Sequence, residues 1–154
     1  MKILLLAACL IITGCAKTAS PTEADAPTVQ IVTRSAHCES RQAGARLLVG
    51  ISEASEALGK SVETNIDPNR AALILVSLGT RPTPGYQVTL QSSRHKPDAD
   101  TYRLPIAYEE PAEDAIMAQV ITTPCALLAV DRTPGIHTLT VPLYGGGETN
   151  VYIN

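Results

Sequence analysis

Ala71-Ala72-Leu73-Ile74-Leu75-Val76-Ser77-Leu78 is the stretch whose reading decides the fold: eight residues, seven of them aliphatic, closed by Gly79. An apolar run of this length, rich in branched side chains and stopped by a glycine, is read as a central strand. Downstream, Gly85 to Leu90 alternates with Tyr86, Val88 and Leu90 on one face, and Thr101 to Tyr108 alternates with Tyr102, Leu104, Ile106 and Tyr108 on one side. Met117 to Thr122 and Pro124 to Val130 read as two further strands. The tail gives the clearest hairpin: Leu139, Val141 and Leu143 alternate with Thr138, Thr140 and Pro142, Gly145-Gly146-Gly147 turns the chain, and Val151 and Ile153 resume the period. Pro105 and Pro142 demote their strands to edges or bulged positions. Upstream, Thr28 to Arg34 is rich in β-branched residues and Arg46 to Ile51 is a short apolar run.

A helix is predicted at one place, from about Ser52 to Leu58. Ser52 serves as a possible N-cap, Glu53 and Glu56 lie in the early turns, and Gly59 is the stop. Nine of the eleven prolines and eight of the ten glycines follow Gly44, spaced as turn punctuation between short strands. That pattern favours an antiparallel β-sandwich or partial barrel with one short helix over a parallel α/β sheet. No internal repeat and no second domain boundary are visible.

The amino end carries a different kind of signal. Lys2 is followed by an apolar run from Ile3 to Ile12 that ends in Ile12-Thr13-Gly14-Cys15. This is similar to a bacterial lipobox, in which small residues precede the cut and a thiol at the new N-terminus receives lipid. Ten apolar residues cover about half of the roughly 20 that a spanning helix needs. The expected organisation is a lipoprotein signal peptide at 1–14, a lipidated Cys15 with a flexible tether to residue 27, and a single mostly β domain at 28–154. Residues 16–27 hold no branched aliphatic and suit a solvated linker. Cys15 would tether the domain to a membrane, since two or more acyl chains suffice for stable anchoring. No Asp follows Cys15, which favours outer-membrane sorting within the cell envelope of a Gram-negative source.

The 154 residues contain neither Trp nor Phe and only five Tyr, so the core must be aliphatic. A net charge of −3, mixed in sign along the chain, excludes nucleic-acid binding, which calls for a clustered basic face. With Cys15 consumed by lipid, Cys38 and Cys125 are the thiols left in an oxidising compartment. They are read as a disulfide, the other reading being two unrelated thiols. His37, His95 and His137 are scattered, with no partner at metal-ligand spacing, so neither a metal nor a cofactor is expected. Glu109-Glu110 and Glu113-Asp114 read as a solvated acidic loop, and Gly145-Gly146-Gly147 lacks the Lys and helix of a phosphate loop. No nucleophile with an adjacent base is discernible, so no catalytic residue is assigned.

The most distinctive internal segment is Leu78-Gly79-Thr80-Arg81-Pro82-Thr83-Pro84-Gly85-Tyr86. Two prolines and two glycines within nine residues specify a rigid loop, and rigid loops lose little entropy on binding. Arg81, Pro82, Thr83, Gly85 and Tyr86 are therefore the expected partner-binding residues. The aliphatic run to Gly79, Arg81-Pro82-Thr83, Gly85-Tyr86, and then Gln119-Val120-Ile121-Thr122 and Pro124-Cys125-Ala126-Leu127 together resemble the PrcB C-terminal-domain family over roughly residues 45–132. The chain departs from the family pattern at Pro84, where Gly is usual, and lacks the Trp common near the short helix. Members include lipoprotein subunits of a surface protease complex. The resemblance implies a mainly β, envelope-anchored accessory protein, a non-catalytic binding or assembly subunit whose partner is an envelope protein such as a protease.

Pro82-Thr83-Pro84-Gly85-Tyr86 is also similar to the signature loop of chagasin-like inhibitors of cysteine proteases, with Gly145 to Gly147 resembling their glycine-rich second loop. The order along the chain differs, and no Arg-Pro followed by an aromatic completes the set. Inhibition is the alternative expectation, and an enzyme with an unrecognised site is the third.

Overall fold

The computed structural model describes residues 26–93 and 95–153. The expected signal peptide, the expected lipidation site Cys15 and the expected tether as far as residue 25 lie outside the described residues. In chain order the strands are β1 (Val29–Ser35), β2 (Ala43–Leu48), β3 (Ala71–Leu78), β4 (Gln87–Leu90), β5 (Thr101–Arg103), β6 (Ile106–Glu109), β7 (Cys125–Asp131), β8 (Thr138–Pro142) and β9 (Glu148–Tyr152). Helix α1 (Ile51–Leu58) joins β2 to β3. Four strands form the main sheet in the order β1-β7-β3-β2, all antiparallel, while β4-β6 and β5-β8-β9 form two smaller sheets. The architecture is mainly β with one short helix, and its sheets are not closed into a barrel.

Every residue of β3 is buried, because both faces of the main sheet are covered. On one face Ile74, Val76 and Leu78, with Leu128 and Val130 of β7, meet Val88, Tyr102, Leu104, Ile106, Leu139 and Val141 of the smaller sheets. On the other, Leu73 and Leu75 with Leu127 lie beneath Ala54, Ala57 and Leu58 of α1. A strand wet on neither side has no reason to alternate, which is why 71–78 is a continuous apolar run. Truncating Ile74 or Leu128 to Ala would leave a void in this interior and cost about 2–5 kcal/mol.

The helix starts at Gly50, which makes no side-chain cap, rather than at Ser52. Its first turn is instead organised by Glu53, whose carboxylate accepts the Val49 N–H at 2.7 Å and pairs with Arg46 of β2. Gly59 ends it at φ +62°, with its N–H bonded to Glu56 O.

Three strand readings change. The strand predicted at Arg46 to Ile51 runs from Ala43 to Leu48, because Ile51 already opens the helix and Ala43-Gly44-Ala45 pairs with Val76-Ser77-Leu78. Thr101 to Tyr108 is split at Leu104-Pro105: β5 pairs parallel with β8, and β6 pairs antiparallel with β4. Its apolar side chains still enter one core, so the period survives where the hydrogen bonding does not. Met117 to Thr122 forms no strand; Thr122 makes an isolated bridge with Arg81. Pro142 ends β8 beyond the last residue paired with β5, where its missing N–H costs no ladder bond.

The antiparallel register sorts the molecule into two ends. Val29, Leu48, Ala71 and Asp131 share one, and Ser35, Ala43, Leu78 and Cys125 share the other. The described chain enters at the first end, and a seven-residue strand such as β1 spans about 23 Å to the second.

Candidate functional site

The segments singled out by their proline and glycine content gather at the Cys125 end. Leaving β3, Gly79 adopts φ +75°, and a Cβ there would stand 2.8 Å from Ala43 N, so the chain can pass only as glycine. Thr80 N–H then bonds Arg41 O at 3.0 Å, and Arg81 exchanges both backbone bonds with Thr122, at 2.8 and 2.9 Å. Thr122 Oγ1 donates to Thr83 O at 3.1 Å. Gly85, at φ +98°, lies under Pro111 and Met117, which would meet a Cβ at 2.9 and 3.2 Å. Loop 79–86 is thus clamped against residues 111–122 along its length.

Arg81 turns inward. Its Nε donates to Leu78 O at 3.0 Å, and its guanidinium stands 4.1 Å from the Tyr144 ring centroid and 5.9 Å from that of Tyr86. Tyr144 meets Tyr86 and Tyr108 edge to face, at 6.0 and 5.6 Å between centroids. Such cation and ring contacts contribute about 0.5–2 kcal/mol each. The Tyr108 hydroxyl donates to Pro142 O, and burial pushes that phenol up to about 12. The Tyr144 hydroxyl donates to Glu110 at 2.7 Å, and this bond, which favours the neutral phenol, raises its pKa above the ordinary value.

Cys38 and Cys125 are joined by a disulfide, with Cα atoms 6.2 Å apart. The bridge is flanked by Thr123, whose Oγ1 donates to Cys38 O at 2.8 Å while the Cys38 N–H reaches Thr123 O at 3.0 Å. It ties the segment after β1 to the start of β7 directly below the clamped loop.

Of the expected partner-binding residues, Arg81 and Tyr86 serve the internal cluster and Thr83 is half-buried, while Pro82 and Gly85 are exposed, Gly85 with Pro111 against one side. Sequence reasoning missed Tyr144, which precedes the Gly145-Gly146-Gly147 turn and brings that turn beside loop 79–86. It also missed the exposure of Ile116, Val120 and Ile121, which stand on the same end. The three histidines are not brought together: His37 bridges to Thr123, His95 lies near Arg103, and His137 bonds the Asp100 carbonyl. Among the described residues no group of three His, Cys, Asp or Glu side chains could hold a metal ion. A cleft of about 680 Å³ lies at the opposite end, but Asp67, Arg70, Asp131 and Arg132 line it as exposed groups of both signs.

These features define a small disulfide-tied β-sandwich domain whose distinctive surface is built from rigid loops rather than a pocket. Residues 72–131 match the sequence model of the family described as PrcB C-terminal, so this part of the chain is similar to that family. The matched span runs from β3 to β7 and so contains the clamped loop, the acidic loop and the exposed segment after it. No curated protein and no solved structure matches the chain.

Proposed function

We propose that this protein is a lipid-anchored envelope subunit that binds or assembles another envelope protein, a protease by analogy with the family, and does no chemistry of its own. The reading is carried by one observation: the family-matched loops form a rigid surface at the end of the sandwich opposite the point where the chain enters. A lipid on Cys15, joined through residues 16–27, would leave that end facing away from the membrane. A surface held by Gly79, Arg81 and Thr122 has little entropy left to lose on binding.

The test uses the full chain with a C-terminal tag in its own cells. Palmitate labelling should be lost in Cys15→Ala. A peptidase activity should co-purify with the wild-type chain and decline in Pro82→Lys, which alters an exposed loop residue and spares the internal cluster. Label retained in Cys15→Ala would overturn the anchor, and a co-purifying profile indifferent to Pro82 would overturn the loop as contact edge.

A second reading, inhibition of a cysteine protease, is favoured by the contact of Tyr144 with Arg81 and Tyr86, which sets the glycine turn beside the signature loop. Stoichiometric slowing of papain, lost on enlarging Gly85, would support it; no effect on papain would dismiss it.

A further inference from the structure

Ile116-Met117-Ala118-Gln119-Val120-Ile121 has the composition of a strand and lacks a strand partner among the described residues. Three of its side chains are exposed aliphatics: Ile116 is 103% exposed, Ile121 70% and Val120 51%, half of the six large hydrophobics that stand in solvent among the described residues. Single exposed aliphatics are ordinary, whereas three within six residues concentrate apolar surface in one place. The segment is nonetheless held in place. Met117 lies against Gly85, and Thr122 pairs with Arg81 immediately beyond it. Within it, the Val120 N–H turns back to Ala118 O, and the ladder begins only at Thr122.

The charge that precedes it along the chain is of one sign. Glu109, Glu110, Glu113 and Asp114 precede the segment, and from Leu104 to Val130 the sequence holds no Lys or Arg. Glu109 accepts from Gln87 and Glu110 from Tyr144, both neutral donors. Arg81 is committed to Leu78 O and the Tyr144 ring, and both ion pairs among the described residues, Arg46 with Glu53 and Arg103 with Glu148, lie elsewhere.

We infer that residues 116–121 receive an extended, cationic segment of the partner protein as a neighbouring strand. This rests on the assembly reading above and names the chemistry of the partner's contact. Backbone hydrogen bonds to 116–121 supply the pairing, alternate aliphatics of the partner cover Ile116, Val120 and Ile121, and Lys or Arg at its end meets Glu113 and Asp114. A second copy of this chain cannot supply those cations from the same segment, and an anionic lipid surface would be repelled by the carboxylates.

The test is selection of a displayed library of random twelve-residue peptides on the purified full chain in detergent. The enriched peptides should alternate apolar residues and carry Lys or Arg at one end. A synthetic copy of the best should lose about tenfold in affinity against Ile121→Ser and against the paired Glu113→Lys and Asp114→Lys variant. It should bind undiminished to Val49→Ser, which removes an exposed aliphatic from the other end. Each of those side chains is exposed, so the variants keep the core intact. No enriched peptide, acidic or non-alternating winners, or equal affinity for Ile121→Ser would overturn the inference. So would a concentration-dependent dimer abolished by Ile121→Ser, or binding to anionic phosphatidylglycerol vesicles abolished by it. Loop-dependent co-purification that persists without peptide binding would leave the assembly reading standing and remove only this contact.

Discussion

The guanidinium of Arg81 stands 4.1 Å from the centroid of the Tyr144 ring, joining the loop after β3 to the turn between β8 and β9. Because Arg81 also donates to Leu78 O, one side chain fixes the loop to the strand it leaves and to a hairpin from the other layer. Arg81→Ala should destabilise the domain by about 1–3 kcal/mol, combining the lost ring contact with an unpaired carbonyl. Arg81→Lys should recover little, since one ammonium cannot bond Leu78 O and lie flat over the ring together. Urea unfolding followed by circular dichroism measures both.

Gly79 and Gly85 should tolerate no side chain. Each lies at positive φ with a neighbour closer to the added Cβ than real contacts allow, so Gly79→Ala and Gly85→Ala should each cost about 1–3 kcal/mol. Gly44→Ala, where a Cβ would meet nothing within 4 Å, should be neutral or slightly stabilising in the same assay.

Reducing the Cys38–Cys125 bridge should lower stability by about 4.5 kcal/mol in the chain-entropy description, given a sequence separation of 87 residues. Cys38→Ser paired with Cys125→Ser should match the reduced wild type in denaturant midpoint. Addition of dithiothreitol should then have no further effect on the double variant.

The main strands were legible wherever burial left a mark on composition. β3 and β7 are continuous apolar runs because two layers cover them, and Leu139, Val141 and Val151 alternate because their hairpin has one wet face. β2 was misplaced because Ala43-Gly44-Ala45 carries too little hydrophobicity to declare itself, its pairing being dictated by β3. The break at Leu104-Pro105 was hidden because both halves bury their residues in one core while their backbones serve different sheets. The loop 79–86 was readable as rigid from its prolines and glycines. Its tie to Tyr144 was not, since a contact between residues so distant in sequence leaves no local pattern.

Alkaline titration should weaken the fold between about pH 10 and 12. Burial holds the Tyr108 phenol neutral up to about 12 in the folded protein, whereas the unfolded chain ionises it near 10. Its contribution is therefore whole below pH 10 and lost as pH rises through 12. Tyr108→Phe should lose less stability across that interval than the wild type, although it starts lower for want of the bond to Pro142 O. Tyrosinate absorbance recorded alongside unfolding would show whether the loss of stability follows phenol ionisation.

The central claim is directional: the Cys125 end meets a partner and the chain-entry end does not. A photo-crosslinking amino acid placed at position 120 or at position 70, both exposed, in the full chain within intact cells tests it most directly. The account predicts a crosslink to one envelope protein from position 120 and none to that protein from position 70. The same protein captured from position 70, or no protein from position 120, would contradict it.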